Sequence, residues 1–352
     1  MKPVTFYNMH TSKKIFLILV TLLMSVHLFS QAGSGIYTFL SLPYSSHLAA
    51  LGGNNVSIRD NDINFSFNNP ALLTEETNKN IGLNYTSYLG GISIGSVIYG
   101  FNLDEHSYLA AGIHYIDYGQ FQETTEENQI LGTFTAKDYA LNLIYARKLT
   151  EKWTVGATLK PIYSAYESYT SFGVAADAGV SFADETSLWS AGLVLKNMGS
   201  QLKSYYSADG TQHRESLPFE IQMGVSKKFE HAPLRISITA NNLQKWNLSY
   251  VKNNTDLNQL QTQSYSFGSL LFRHLVFAVD FIPNSNFYIT ASYNYRRAAE
   301  MSIDNIRSMS GFAGGFGIKI SKVHAGFSMA EYQIGNISYN FSVTTSLSDF
   351  GL

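Results

Sequence analysis

Residues Ser285–Arg297 read Ser-Asn-Phe-Tyr-Ile-Thr-Ala-Ser-Tyr-Asn-Tyr-Arg-Arg, and apolar and polar side chains alternate along them. One parity carries Phe287, Ile289, Ala291, Tyr293 and Tyr295, and the other carries Tyr288, Thr290, Ser292, Asn294 and Arg296. Successive side chains of a β-strand point to opposite faces. The alternation therefore predicts a strand with one apolar and one polar face.

The same alternation recurs in Phe219–Ser226, Leu234–Asn241 and Val323–Ala330. Charged residues fall on the polar parity of their segments: Glu220, Arg235, Asp280 and Arg296. A charge that faces lipid at mid-depth costs about 2–4 kcal/mol. The apolar parity can therefore face lipid, and we expect the charges to face an interior.

From Asn80 onward, the pattern predicts about fourteen strands at even spacing. The predicted strands are Asn80–Tyr88, Ile92–Asn102, His106–Tyr118, Thr133–Leu149, Lys152–Tyr166, Thr170–Phe182, Thr186–Asn197, Ser216–Phe229, Pro233–Leu243, Ser266–Ile282, Ser285–Arg297, Ser310–Ser321, Lys322–Glu331 and Gly335–Leu347.

The connections between these segments mostly alternate between short and long. Short polar turns include Leu103–Glu105, Thr150–Glu151 and Pro283–Asn284, whereas the long connections are Gly119–Gly132, Met198–Glu215, Gln244–Tyr265 and Ala298–Met309. Transmembrane β-barrels have short turns on the periplasmic side and longer loops outside. A soluble β-sandwich or propeller also alternates but does not explain one-sided loop lengths. We predict an all-β fold, a transmembrane antiparallel β-barrel.

The composition supports a membrane location. Hydrophobic residues make up 45% of the chain and charged residues only 14%, against roughly 25% charged in soluble proteins. The net charge of −2 does not favour a nucleic-acid partner. The chain has 0 Cys, which excludes disulfides, cysteine-ligated zinc and thiol catalysis.

The chain divides into three predicted parts. Residues 1–32 have the pattern of a secretory signal peptide, since Lys13 and Lys14 precede the apolar run Ile15–Leu23. A membrane anchor is the alternative, but that run is shorter than the roughly 20 residues that a span needs. Residues 33–79 lack a sustained period, and we predict that they form a plug inside a barrel of residues 80–352, because about fourteen strands enclose more space than their own side chains fill.

Residues that could carry chemistry are scattered. The chain lacks a Gly-x-Ser-x-Gly elbow and a His-Glu-x-x-His helix, so we predict no catalysis, metal or cofactor. His114 and His324 are predicted to be lumen-facing polar residues. Asp60-Asn61-Asp62 fits a calcium site or an acidic turn, and the turn is favoured. Glu123, Glu126 and Glu127 make Phe121–Gln129 acidic, which fits a solvated loop or a surface for a basic partner.

The N-terminal motifs resemble a known family. They comprise Gly33, Gly35, Tyr37, Pro43, Gly52, Gly53, Asn68, Asn69 and Pro70. They resemble the start of outer-membrane proteins of the long-chain fatty-acid transporter class, which includes PorV-like barrels, and more closely the PorQ family of the type IX secretion system. Asn68-Asn69-Pro70 has the residue types of a tight turn. The alternative is a contact to a ligand or partner inside the barrel.

The resemblance implies a role and partners. It implies an outer-membrane anchor for the surface protein PorZ, near the sortase PorU and the shuttle barrel PorV, in an assembly that attaches cargo to surface lipopolysaccharide. Loops Met198–Glu215 and Gln244–Tyr265 would hold PorZ. Two alternatives stay open, namely a transporter for hydrophobic small molecules and a purely structural barrel.

Overall fold

A computed structural model describes residues 35–205, 207–208, 211–212, 214–248, 265–301 and 309–351. The predicted signal peptide and Gly33 lie outside these residues. Among the helices of the described ranges, none combines the length and the apolar character needed to cross a membrane.

Sixteen β-strands occur in the described ranges, and all but β8 and β9 form one closed antiparallel barrel. The strands are β1 Asn80–Ser87, β2 Ser93–Asn102, β3 Ser107–Thr124, β4 Ile130–Lys148, β5 Trp153–Tyr166, β6 Tyr169–Asp184, β7 Trp189–Lys203, β8 Ser207–Ala208, β9 Thr211–Gln212, β10 Glu220–Lys228, β11 Leu234–Ala240, β12 Leu275–Asn284, β13 Phe287–Asn294, β14 Phe312–Ile320, β15 Val323–Gln333 and β16 Asn336–Ser346. The prediction of a fourteen-stranded barrel is confirmed.

The barrel closes between its first and last strands. β1 pairs with β16 from Asn80 opposite Ser346 to Ser87 opposite Tyr339. Strands that follow one another in sequence are neighbours in the barrel, except that β7 pairs with β10, because the small β8–β9 hairpin lies in the connection between them.

The faces of the barrel are inverted relative to a soluble protein. On β5, the side chain of Leu159 is 47% exposed, while its neighbour Lys160 is 0% exposed. The same division holds for many strand residues: Leu83, Ile113, Leu193, Met223, Val279 and Phe341 are exposed, whereas Asp177, Lys196, Glu220, Arg235 and Asp280 are buried. An apolar outside and a charged inside are the arrangement of a barrel in lipid.

Aromatic rings border the apolar belt at two heights. Tyr115, Tyr139 and Tyr163 are cross-strand partners near the long-loop end, while Trp153 lies beside Phe182 at the short-turn end, with 5.0 Å between ring centroids. About ten residues of tilted strand separate Trp153 from Tyr163, which corresponds to roughly 25 Å of height. This is the height of the apolar band in outer-membrane barrels.

The helices of the described ranges are short. The α-helices are α1 Ser46–Ala50, α2 Phe267–His274 and α3 Tyr295–Glu300, and the 3-10 helices are Thr38–Ser41, Ile63–Phe67, Pro70–Leu72, Glu75–Thr77, Leu89–Gly91 and Leu347–Phe350.

The predicted strand Ser266–Ile282 is wrong in its first half. Residues Phe267–His274 form α2, and the strand begins only at Leu275. The side chain of Ser266 caps this helix by accepting a hydrogen bond from the Ser269 backbone N–H at 3.4 Å. The capped helix therefore occupies the first half of the predicted strand.

The predicted strand Ser285–Arg297 is also too long. β13 ends at Asn294, whose side chain accepts a hydrogen bond from the Arg297 N–H at 3.1 Å and caps α3. Arg296 therefore lies on a helix, where it pairs with Glu300 at 2.7 Å. Strand parity says nothing about the direction of its side chain.

The predicted loop Gly119–Gly132 is wrong as well, because most of it is strand. β3 continues to Thr124 and β4 begins at Ile130, so this connection is a tall hairpin closed by a short turn.

The inverted faces lead to a prediction about Leu159, which lies between the two heights of aromatic rings. L159K places a charge toward lipid and is expected to lower the free energy of unfolding by about 2–4 kcal/mol. L159M keeps an apolar side chain and should cost less than about 1.5 kcal/mol. The folded protein migrates as the faster band on unheated gels. The loss of this band with increasing urea measures the free energy of unfolding of both variants. Equal stability of L159K and the parent chain would contradict the assigned lipid face.

Candidate functional site

Residues 35–79, called here the N-terminal segment, are mostly buried and contact lumen-facing side chains of the barrel. Three of its turns are fixed by side-chain caps, which satisfy backbone N–H groups that would otherwise lack a partner. Ser45, Asp62 and Asn69 accept hydrogen bonds from the N–H groups of Leu48, Asn64 and Ala71, respectively.

The Gly52-Gly53 pair reverses the chain after α1. Its φ angles are +90° and +92°, in a region that residues with a Cβ rarely adopt. The Gly53 N–H donates to the Leu48 carbonyl at 2.9 Å, which ends the helix. A side chain at Gly52 would also collide with Val276 of the wall, since its Cβ would lie 2.5 Å from the Val276 Cγ1.

Asn68-Asn69-Pro70 forms a corner that also contacts the wall. The Asn69 amide nitrogen donates to the carbonyls of Val56 at 2.9 Å and Val180 at 3.3 Å. The Asn68 side-chain oxygen accepts a hydrogen bond from the Lys196 Nζ at 3.2 Å. The motif thus forms the predicted kind of turn and also binds the chain's own wall; a contact to a ligand or partner stays a hypothesis.

Glycines of the wall make room for this corner. A Cβ at Gly192 would lie 1.8 Å from the Val56 carbonyl oxygen, and one at Gly179 would lie 2.0 Å from the Asn69 side-chain oxygen. At Gly156 it would meet the backbone of Pro70 and Ala71 at 2.6 Å. Gly156 and Gly179 are cross-strand partners, as are Gly192 and Gly224. We call these four residues the glycine floor: Gly156, Gly179, Gly192 and Gly224.

The first residues of the segment form an apolar cluster toward the long-loop end. Ile36, Tyr37, Phe39 and Leu40 pack with wall residues, which include Ile94, Ile116, Ile162 and Leu217. Here the Tyr37 hydroxyl lies 2.5 Å from that of Ser171.

Gly35 and Pro43 of the N-terminal motifs lie near this apolar cluster, as does His114. A Cβ at Gly35 would lie 2.7 Å from the Ser216 carbonyl oxygen, and Pro43 is buried. His114 is buried against the rings of Phe39 and Tyr44, at centroid distances of 5.7 and 4.4 Å.

An ionic network, buried except at Asp60, links the segment to β11, β12 and β13. The Arg235 Nη1 donates to both carboxylate oxygens of Asp60 at 2.8 Å, and its Nε donates to Asp280 at 2.8 Å. The second oxygen of Asp280 lies 3.4 Å from the His47 Nε2 and accepts a hydrogen bond from Thr290 at 2.5 Å. We call this set the Arg235 network: His47, Asp60, Arg235, Asp280 and Thr290.

Sequence reasoning missed the Arg235 network, although one signal was available. Arg235 and Asp280 lie on the polar parity of sequential strands and are cross-strand partners in the barrel. Asp60 and Asp62 fulfil structural roles, as an ion-pair partner and a helix cap. In the described ranges, His, Cys, Asp and Glu side chains form no group of three that could hold a metal ion.

A second buried ion pair lies on the wall near the corner. The Lys160 Nζ is 2.6 Å from the Asp177 carboxylate and donates to the Asn197 side chain at 3.1 Å. Asn197 has a φ of +56° next to a bulge between β6 and β7. The Asn197 N–H also donates to Asp177 at 2.8 Å, so the bulge and the ion pair support each other.

Two polar cavities lie at the short-turn end of the barrel. One has a volume of about 640 Å³ and the other about 420 Å³. Residues that line both include Arg59, Asp60, Glu76, Lys228 and Arg235. At the same end of the barrel, Asp104 orders the turn between β2 and β3 by accepting a hydrogen bond from the His106 N–H at 2.7 Å, which is the main cause of its lowered pKa.

The family of the chain follows from a comparison with protein-family models. The model described as "Type IX secretion system protein PorV" matches residues 35–245, which is more than half of the 352 residues. The chain belongs to the PorV family. The match includes the N-terminal segment, the glycine floor and Arg235, whereas Asp280 and Thr290 of the Arg235 network lie beyond it. Among curated proteins no significant match was found.

Solved structures support the fold of this PorV-family barrel. The toluene transporter TbuX of Ralstonia pickettii is similar with a TM-score of 0.53 and 11% identity, covering 88% of this chain and 99% of that one. The toluene transporter TodX of Pseudomonas putida has a TM-score of 0.51 and 12% identity, covering 86% of this chain and 96% of that one. These likenesses concern the fold alone.

Family and fold together establish the coarse role of the chain. It is an outer-membrane β-barrel of the type IX secretion system. Barrels of this class are typically non-enzymatic transporters or secretion components. The short-turn end is therefore periplasmic, and the long loops are extracellular.

The glycine floor of this PorV-family barrel gives a second prediction. G192A would force the Val56 backbone away from the wall, and overpacking of this kind typically costs about 1–3 kcal/mol. G95A is the control, because its Cβ would meet atoms no closer than 3.9 Å. Hydrogen exchange should show faster exchange of the amides around Val56 and Asn69 in G192A alone. Unchanged exchange in G192A would contradict the close packing.

The Arg235 network gives a third prediction. R235M leaves Asp280 buried without its cation, and we expect a loss of about 3–5 kcal/mol in the free energy of unfolding. K152M breaks the exposed pair of Lys152 and Asp184, whose N–O distance is 3.1 Å, and should cost no more than about 1 kcal/mol. Urea titration of both variants checks the difference. Equal losses in the free energy of unfolding of R235M and K152M would contradict the expected effect of burial on the Arg235 network.

Proposed function

We propose that this barrel is a PorQ-like anchor of the type IX secretion system. In this role it holds the surface protein PorZ at the outer membrane and thereby supports attachment of secreted cargo to lipopolysaccharide. PorU and PorV would belong to the same attachment assembly, and the anchor role does not require either of them to contact this chain directly. The N-terminal motifs shared with the PorQ family support this assignment.

The position of the N-terminal segment inside the barrel supports an anchor rather than a channel. The N-terminal segment lies against the glycine floor, and the Arg235 network and the Asn68–Lys196 hydrogen bond tie it to the wall. We propose that residues 33–79 act as a plug. Its release would separate Asp60 and His47 from buried charges, which is costly in a low-dielectric interior. A fixed plug suits a protein that binds partners on its outer surface.

The loops proposed to hold PorZ stay a prediction. β7 continues to Lys203, so the first of these connections begins at Ser204 rather than at Met198. In the two loops, residues 206, 209–210, 213 and 249–264 lie outside the described ranges.

A transporter for hydrophobic small molecules is the second candidate, and one feature of the wall favours it. Pairing between β7 and β10 begins at Lys196 and Glu220, so the outer part of β7 has no β10 residues beside it. The chain near Ser216 contacts this part of β7, because the Glu215 N–H donates to the Gln201 side chain at 3.0 Å. The Ser216 carbonyl accepts a hydrogen bond from the Ile36 N–H at 3.1 Å. The toluene transporters of similar fold fit this candidate. The larger cavity, however, is lined mainly by polar and charged residues.

Affinity purification of the tagged chain from detergent-solubilised outer membranes tests the anchor role. PorZ is expected to copurify, and a strain without the chain should lose surface-attached cargo while its uptake of hydrophobic compounds stays normal. Deletion within either long loop should release PorZ from purified outer membranes. Absence of PorZ from the purified sample, with impaired uptake and normal surface cargo, would instead establish the transporter.

A further inference from the structure

The β3–β4 hairpin extends beyond its neighbours in the wall. Pairing of β3 with β2 ends at Asp117 opposite Ser93, and pairing of β4 with β5 begins at Ala136 opposite Tyr166. Between these points β3 and β4 continue to pair with each other from Gln120 opposite Thr135 to Thr124 opposite Ile130. Residues 120–135, called here the hairpin extension, therefore have two outer edges without a neighbouring strand.

The hairpin extension is held in one conformation by its turn. The Thr125 N–H donates to the Gln129 carbonyl at 2.9 Å, and the Asn128 N–H donates to the Thr125 carbonyl at 3.0 Å. At its base, a bulge includes Gly119, whose N–H donates to Asp117 at 2.9 Å. A preformed edge loses little conformational entropy when it binds a partner.

The side chains of the hairpin extension combine apolar and acidic character. Ile130 and Leu131 are 63% and 65% exposed, and the ring of Phe121 stacks on that of Phe134 with centroids 5.4 Å apart. Three exposed carboxylates lie at or near the tip: Glu123, Glu126 and Glu127. Residues 118–136 include neither Lys nor Arg.

These features are unusual for a free strand edge. Proteins usually protect exposed edges with lysine, proline or a covering element. Here the edges are apolar and carry negative charge only, so they would repel a second copy of the same hairpin. They complement a positively charged strand. An extended peptide that adds to a sheet edge gains affinity from backbone hydrogen bonds and selectivity from its side chains.

We propose that the hairpin extension binds an extended segment of the surface partner by β-strand addition, and that this segment alternates apolar residues with Lys or Arg. The inference rests on the proposed function, because it names the surface of the anchor that the partner would use. The carboxylates would mainly speed association and fix the orientation of the partner strand. The apolar residues and the backbone edge would hold it.

Two variants of the full chain in lipid vesicles test this surface, with purified PorZ as the probe. The first replaces residues 121–134 with Asn-Gly, a two-residue hairpin turn that leaves the pairing below Gln120 intact. The second is E123Q/E126Q/E127Q. The control is E105Q/E185Q/E230Q, which removes three exposed carboxylates from the short turns. Heat-modifiable migration on gels establishes that each variant is folded.

The shortened variant is expected to lose about 100-fold or more in affinity, and the triple Glu variant about 10-fold at low salt with a weaker salt dependence. The control should bind as the parent does. Parental affinity of both test variants would overturn the hairpin surface and leave the anchor role standing. A parent chain that does not bind PorZ would overturn both proposals. If the shortened variant does not fold, the affinity of the triple Glu variant for PorZ decides whether the hairpin surface stands.

Discussion

The close approach of the N-terminal segment to the glycine floor is the constraint on which the rest of this structure depends. A barrel of fourteen strands is too wide to be filled by its own side chains, and side chains at Gly156, Gly179 and Gly192 would hold the segment away from the wall. With hydrogen at these positions, the Asn69-Pro70 corner and the Val56 backbone reach the strands directly. Backbone and side chains of the N-terminal segment then lie against the inner face of these strands.

Buried charge explains why the segment takes one position in the lumen. Arg235 has two carboxylate partners, one from the wall and one from the segment, so its ion pairing is complete only when Asp60 is in place. Buried ionic groups add little net stability, but removal of one partner is strongly unfavourable. The network therefore favours a single arrangement. A segment fixed in this way suits a barrel that presents its outer surface to partners.

Much of the fold could be predicted from the sequence, because strand parity reports the environment of each face. Loop lengths gave the orientation, and the charged residues Arg235 and Asp280 were assigned to the interior face. The α2 and α3 helices were missed because Ser266, which caps α2, also fits the start of a strand, and Asn294, which caps α3, fits the polar parity within one. The contact of Gly192 with Val56 depends on tertiary positions far apart in sequence, and parity cannot encode it. The PorQ-like role rests on resemblance in the N-terminal segment and is a proposal.

Ion conductance of the purified chain in planar lipid bilayers tests the occupied lumen most directly. A barrel with this strand number and an empty lumen would form a water-filled pore and give stable current steps. With the N-terminal segment fixed against the glycine floor, we expect correctly inserted protein to give no such steps at moderate voltage. Frequent, long-lived open steps from folded protein would contradict the account.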